Sequence, residues 1–220
     1  MTAPAHAVLM DRIYRHQRYF YDLTRRPYLF GRDILIRDLR AKSGDTILEI
    51  GCGTARNLIK TARRYPGTML WGIDASAVML HTAERAAKRA GLSNRIKLLH
   101  GMAEDAAGLI AQTRFDHVIF SYSLSMIADW RAALLTGHAL LSDQGSIHVV
   151  DFGDLGGLGR TTASLLRAWL HLFHVCPRHE LLLHAETAAR NKLDCRLRHL
   201  RGRYAFVFQA TSSALRDLGL

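Results

Sequence analysis

Glu49, Gly51 and Gly53 alternate through the run ILEIGCGTARN (residues 47–57), where an apolar segment gives way to a glycine bend and then to helix-forming residues. Two glycines allow a tight turn and let a ligand approach the backbone closely, and a helix opening there offers unpaired N–H groups. A second carboxylate, Asp74, closes the next apolar run, where it could chelate the two hydroxyls of a ribose. Gly101-Met102-Ala103-Glu104 follows the third run and suits a nucleobase, with Glu104 or Asp105 accepting from an exocyclic amine. Taken singly, Asp74 could be a helix cap and Glu104 a first-turn acid. Their recurrence at the ends of consecutive strands points to one nucleotide crevice.

The elements that must position these residues alternate. Thr46–Ile50, Met69–Ile73, Ile96–Leu99, Phe115–Phe120 and Ser146–Val150 read as short buried strands. Thr54–Arg64, Ser76–Ala90 and Ala132–Leu141 read as the helices between them, which predicts βαβ units and a parallel sheet. Asp194–Leu200 and Arg203–Gln209, around Arg201-Gly202, predict a terminal hairpin and hence an antiparallel addition. Residues 10–24 and Phe30–Leu39 form helical patterns interrupted at Pro27, and residues 160–175 form another. In the last of these Leu166, Trp169, Leu170 and Phe173 make an apolar stripe, with Arg160, Arg167, His171 and His174 on another face. Such a helix can lie on a membrane or simply cover the sheet. The expected division is a basic helical lid (1–42), a ligand-binding core (43–159), and a basic helix with the hairpin (160–220) completing one domain.

Charge follows the same division. The formal net charge is +11: residues 10–42 carry +5, residues 160–203 carry +6, and residues 43–159 sum to zero. Basic flanks around a neutral core suggest a polyanionic partner, nucleic acid or an anionic membrane. Three cysteines without a CxxC pair argue against a disulfide scaffold or structural zinc. The twelve histidines supply no three ligands at zinc spacing, and no metal is expected. No apolar run is long enough to span a bilayer and no secretory signal is visible, so a cytoplasmic protein is expected.

A dinucleotide-binding fingerprint would need a small residue at position 56, where this chain has Arg56. Glu49-x-Gly51-x-Gly53 instead resembles the first motif of class I S-adenosylmethionine-dependent methyltransferases, with Ala55 at the place of a common third glycine. The resemblance, over about residues 43–209, implies a Rossmann-like α/β fold: a mostly parallel seven-stranded sheet with an antiparallel terminal hairpin and helices on both faces. It also implies S-adenosyl-L-methionine as cofactor. The implied contacts come from Glu49, Gly51, Cys52, Gly53, Thr54 and Asn57 in the first loop and helix, and from Asp74, Ala75, Ser76 and Met79 after the second strand. Met102, Ala103, Glu104 and Ser121 complete them.

FSYSLSMIADW (120–130) lacks the Asn/Asp-Pro-Pro-aromatic signature of base-amine methyltransferases, and no nucleic-acid module is recognisable. A nucleic-acid partner is therefore not expected. Together with YRHQRYFYDLTRRPYLFGRD (14–33) and the stretch 151–178, this segment resembles the BtaB-type N-methyltransferases of bacterial betaine-lipid synthesis. That likeness implies three methylations of the amine of diacylglycerylhomoserine at an anionic membrane surface, with peripheral localisation on the inner face and a possible companion enzyme making the lipid. Tyr14, Tyr21 and Tyr122 are candidates for positioning the amine or caging the quaternary product; Tyr14 and Tyr21 equally suit packing on the sheet. Tyr21-Asp22 matches a pair that many small-molecule and lipid methyltransferases carry in the lid. Arg25, Arg26, Arg160, Arg167 and Arg178 are candidate cations for the homoserine carboxylate or the membrane. No dedicated base is required; Tyr14, Tyr21, Tyr122, His148 or Asp151 could reach the crevice if one is used. Alternatives are phosphatidylethanolamine or a quinone ring carbon as acceptor, or a non-catalytic binding protein of the same fold.

Overall fold

The computed structural model describes residues 29–110, 114–172, 175–191 and 193–217. Strands β1 (Thr46–Ile50), β2 (Met69–Asp74), β3 (Ile96–His100), β4 (Phe115–Ser121), β5 (Leu141–Phe152), β6 (Cys195–Leu200) and β7 (Ala205–Thr211) form one sheet in the order β3-β2-β1-β4-β5-β7-β6. β1 to β5 pair in parallel and β7 runs antiparallel between β5 and β6. The Rossmann-like fold and terminal hairpin expected above are therefore present. The strand order reverses between β1 and β4, and that reversal opens a crevice at their carboxyl ends.

Strand residues alternate between two cores. Leu48, Ile50, Val118 and Val149 face one side, which is covered by α4 (Ala106–Leu109), α5 (Trp130–Ala139), α7 (His179–Arg190) and α8 (Ser212–Asp217). Ile47, Leu70, Ile119 and Val150 face the other, covered by α1 (Arg32–Asp38), α2 (Arg56–Arg64), α3 (Ala77–Arg89) and α6 (Arg160–Leu172).

One expectation is corrected, one helix is added, and one open alternative is decided. Leu141 begins β5 instead of ending a helix: it pairs with Phe115, the register shifts, and pairing resumes at His117 with Ser146. Helix α7 was not anticipated; its N-cap is Arg178, whose side chain does not cap it. Of the two readings of the α6 stripe, sheet covering holds for its described part: Leu170 is buried and Leu166 and Trp169 pack against the second core, and among the described large apolar side chains of α6 Leu165, 70% exposed, stands out to solvent. Phe173 and His174 lie outside the described residues, as do Tyr14, Tyr21, Arg25 and Arg26. Among the described residues, no helix is long and apolar enough to cross a membrane.

Candidate functional site

At the carboxyl end of β1 the chain turns through Gly51 (φ +77°) and Gly53 (φ +54°), with the N–H groups of Gly51 and Cys52 both donating to the Ile73 carbonyl on β2. A Cβ on Gly51 would meet Ser123 Cβ at 2.5 Å, whereas one on Gly53 would find nothing within 4 Å. The first glycine is thus required by the protein's own packing, whereas the second borders open space beside the bend. Ala55, at the position of the third glycine, is fully buried and left-handed (φ +60°), a conformation costing a non-glycine residue about 1 kcal/mol.

Asp74 ends β2 beside that bend. Its Oδ2 accepts the Gly53 N–H at 2.8 Å and its Oδ1 accepts the Ser76 N–H at 2.9 Å. Glu49 is fully buried below the glycines, with Oε1 accepting from Asn57 Nδ2 at 2.7 Å. Burial raises its carboxyl to about 7, against the opposing pull of Asn57 and the Arg32 charge. Burial, with Asp74 and Glu49 nearby, likewise holds the Cys52 thiol well above its ordinary value.

These groups line one cavity of about 630 Å³. One wall is Glu49 to Thr54 with Arg56 and Asn57; the floor passes Asp74, Ala75 and Met79; Gly101 to Glu104 form the second wall; and Ser121 to Ser123 with Met126 to Asp129 form the third. Of the cofactor contacts implied by the resemblance, only Ser76 is absent from this lining; Asp105, the alternative to Glu104, also lies outside it, at the N-cap position of α4. Ser76 instead caps α3, its Oγ accepting from the Met79 N–H. Two residues that sequence reasoning missed, Leu29 and Arg32, close the cavity from the N-terminal side. Arg32 is buried, and its helix is tied down by Asp33, which accepts from Arg56 at 2.8 Å and Lys60 at 2.7 Å. Gly31 lets it enter: a Cβ there would stand 2.6 Å from Leu200 Cδ1.

Other candidates are placed differently. Tyr122 contributes to the wall, but its hydroxyl donates to the Phe30 carbonyl at 2.6 Å, and burial holds its phenol well above its ordinary value. It therefore anchors the N-terminal segment. His148 lies toward the opposite end of the sheet, with Nε2 2.8 Å from Ser146 Oγ and 3.2 Å from His117, which in turn meets Asp45. It cannot reach the crevice. Asp151 is buried, accepting from the Ser125 and Phe152 N–H groups, and burial raises its carboxyl to about 6. Arg178 donates to the carbonyls of Leu124 (3.0 Å) and Ile127 (2.6 Å) and is not a free surface charge. Arg167 is exposed and donates to the Asp154 carbonyl; of Arg160, only its place at the start of α6 is described.

The residues fit S-adenosylmethionine. Glu49 Oε2, Ser121 Oγ and Ser123 Oγ are buried polar atoms without protein partners on the lining, and such atoms call for a ligand's donors. The Glu49 carboxylate and the Arg32 guanidinium would meet the cofactor's ammonium and carboxylate, the Asp74 carboxylate its ribose, and the Ala103–Glu104 wall its base.

The family described as a methyltransferase domain matches residues 47–145, from β1 through the start of β5. The chain is 26% identical over 141 residues to the demethylmenaquinone methyltransferase of Geobacillus sp. strain WCH70, covering 63% of this chain and 59% of that one. It is 30% identical over 110 residues to the tRNA 5-carboxymethoxyuridine methyltransferase of Escherichia coli K12, covering 50% of this chain and 41% of that one. It thus spans no more than about three fifths of these curated relatives. A solved S-adenosylmethionine-dependent methyltransferase from Aquifex aeolicus shares the fold, with a TM-score of 0.62 at 15% identity over 85% of this chain and 92% of that one. An O-methyltransferase family protein from Burkholderia thailandensis gives 0.68 at 17% identity over 89% of this chain and 59% of that one. With the crevice, these likenesses lead to one conclusion: residues 47–145 match a methyltransferase-domain family, and the chain has the fold of S-adenosylmethionine-dependent methyltransferases.

Proposed function

We propose that the protein is an N-methyltransferase that methylates the amine of diacylglycerylhomoserine three times to give a betaine lipid. The observation that carries this reading is the chemistry of the wall at residues 121–129. Its ionisable side chains are Tyr122 and Asp129. The Tyr122 hydroxyl is held by the Phe30 carbonyl, and Asp129 Oδ1 caps α5 by accepting the Ala132 N–H. The rest of the wall is Met126, Ile127 and Ala128 with small hydroxyls. Such a wall excludes water and lowers the pKa of an ammonium group, which favours a neutral amine. A neutral amine needs alignment more than a base.

The cofactor, when bound, supplies an electrophilic methyl on a sulfonium. The apolar wall would keep the acceptor amine unprotonated and in line with that methyl. Glu49, Asp74 and Arg32 fix the donor end, and the wall after β4 orients the amine. The basic flanks support a lipid acceptor, since each cation near an anionic surface adds about 1 kcal/mol of attraction.

The likeness to demethylmenaquinone methyltransferases favours a second reading, a quinone ring carbon as acceptor. Methyl-labelled S-adenosylmethionine with vesicles containing diacylglycerylhomoserine, phosphatidylethanolamine or a demethylated quinol decides between them. Label in the homoserine lipid is expected; label confined to the quinol or to phosphatidylethanolamine overturns the proposal.

A further inference from the structure

The wall after β4 is held from behind by residues distant in sequence. Arg178 Nε donates to the Leu124 carbonyl at 3.0 Å and one of its terminal nitrogens to the Ile127 carbonyl at 2.6 Å. Asp151 Oδ2 accepts the Ser125 N–H at 3.0 Å, and the Cys176 N–H donates to the Ser125 carbonyl at 2.9 Å. The segment between these contacts turns on itself, with the Met126 and Ile127 N–H groups donating to the Ser123 carbonyl. Its polar backbone is thereby satisfied away from the cavity, and Met126 and Ile127 face into it. Arg131 on α5 and Glu180 on α7 add an exposed ion pair at 2.5 Å across the same junction.

We infer that Arg178 and Asp151 are positioning residues for the acceptor: together, from the start of α7 and the end of β5, they set the Leu124–Ile127 turn. The inference rests on the reading of this wall as the acceptor side. A guanidinium suits the task because its planar fork reaches two carbonyls that point the same way, which a lysine ammonium cannot match in geometry. Neither residue lines the cavity, so both act through the turn.

The test uses the full chain saturated with S-adenosylhomocysteine. Hydrogen exchange read by mass spectrometry over residues 122–129 should quicken about tenfold in Arg178→Ala, the scale of one or two lost hydrogen bonds. Affinity for S-adenosylhomocysteine should stay within about twofold of wild type, while KM for diacylglycerylhomoserine in mixed vesicles rises about tenfold. Arg178→Lys should restore part of both effects, and Asp151→Asn should reproduce them more weakly; these milder variants serve if the alanine variant does not fold. Unchanged exchange in the turn overturns the inference. So does a loss of S-adenosylhomocysteine affinity in step with a general fall in Tm, which would mark a merely structural role. Should wild type ignore the homoserine lipid, the acceptor assignment fails, while the exchange and affinity arms still decide whether the clamp exists.

Discussion

The Asp74 carboxylate accepts the Gly53 N–H at 2.8 Å, so the residue expected to grip the ribose also sets the glycine bend. Asp74→Ala should therefore lose a ligand contact and a loop restraint together. A penalty of about 1–3 kcal/mol, roughly 5- to 150-fold in Kd for S-adenosylhomocysteine, is expected by calorimetry. Unaltered affinity would remove Asp74 from the site.

The two glycines of the bend separate folding from binding. Gly51→Ala drives a Cβ to 2.5 Å from Ser123 at a positive φ and should lower the Tm of the ligand-free protein through steric strain and a shifted turn. Gly53→Ala adds a methyl into open space at φ +54°. It should cost the fold only about 1 kcal/mol yet weaken S-adenosylhomocysteine binding at least about tenfold by occupying the ligand's approach. Thermal melts and calorimetry on both variants check this; equal losses in both measurements would contradict it.

Much of this is legible in the sequence. β1 to β4 are short apolar runs ended by turn residues, so Gly51, Gly53, Asp74 and Glu104 follow as candidates from the ends of consecutive strands, and Glu49 follows from the resemblance of its motif. What escaped depends on long-range closure. Arg32 reaches the cavity because Gly31 fits beside Leu200 and Val207 and because Asp33 pairs with Arg56 and Lys60; no local pattern encodes that. Arg178 holds carbonyls 51 and 54 positions earlier in the chain. Helix α7 begins without a side-chain cap, and its composition alone did not mark its start. The apolar stripe on α6 was seen, but the sequence left open whether sheet or membrane would cover it.

Glu49 makes the crevice sensitive to pH. Its carboxyl, about 7 in the fold against an ordinary 4.5, favours the neutral form. Its stabilising contribution is full below pH 4.5 and is lost as pH rises through 7, on the order of 3 kcal/mol. Glu49→Gln should flatten that limb of Tm against pH relative to wild type. Affinity for S-adenosylhomocysteine should rise from pH 6 to 8 in wild type as the carboxylate forms to meet the ligand's ammonium, and stay level in the variant. Parallel profiles in the two proteins would refute the role.

His148 acts in the opposite sense at the far end of the sheet. Burial, then the neighbouring His117, hold its pKa well below 6.5. Protonation therefore favours the unfolded chain, and stability is lost as pH falls below 6.5 toward the folded-state value. Wild type should lose more Tm between pH 7.5 and 5 than His148→Asn, by differential scanning calorimetry. An equal loss would show that other groups govern the acid limb.

The most direct test is an experimental structure of the chain with S-adenosylhomocysteine. The account predicts the ligand along the crevice, with its ribose hydroxyls on the Asp74 carboxylate, its amino-acid end between Glu49 and Arg32, and its adenine against Ala103 and Glu104. A ligand bound elsewhere, or a crevice at Gly51–Gly53 that stays free of it at saturating concentration, would contradict the account.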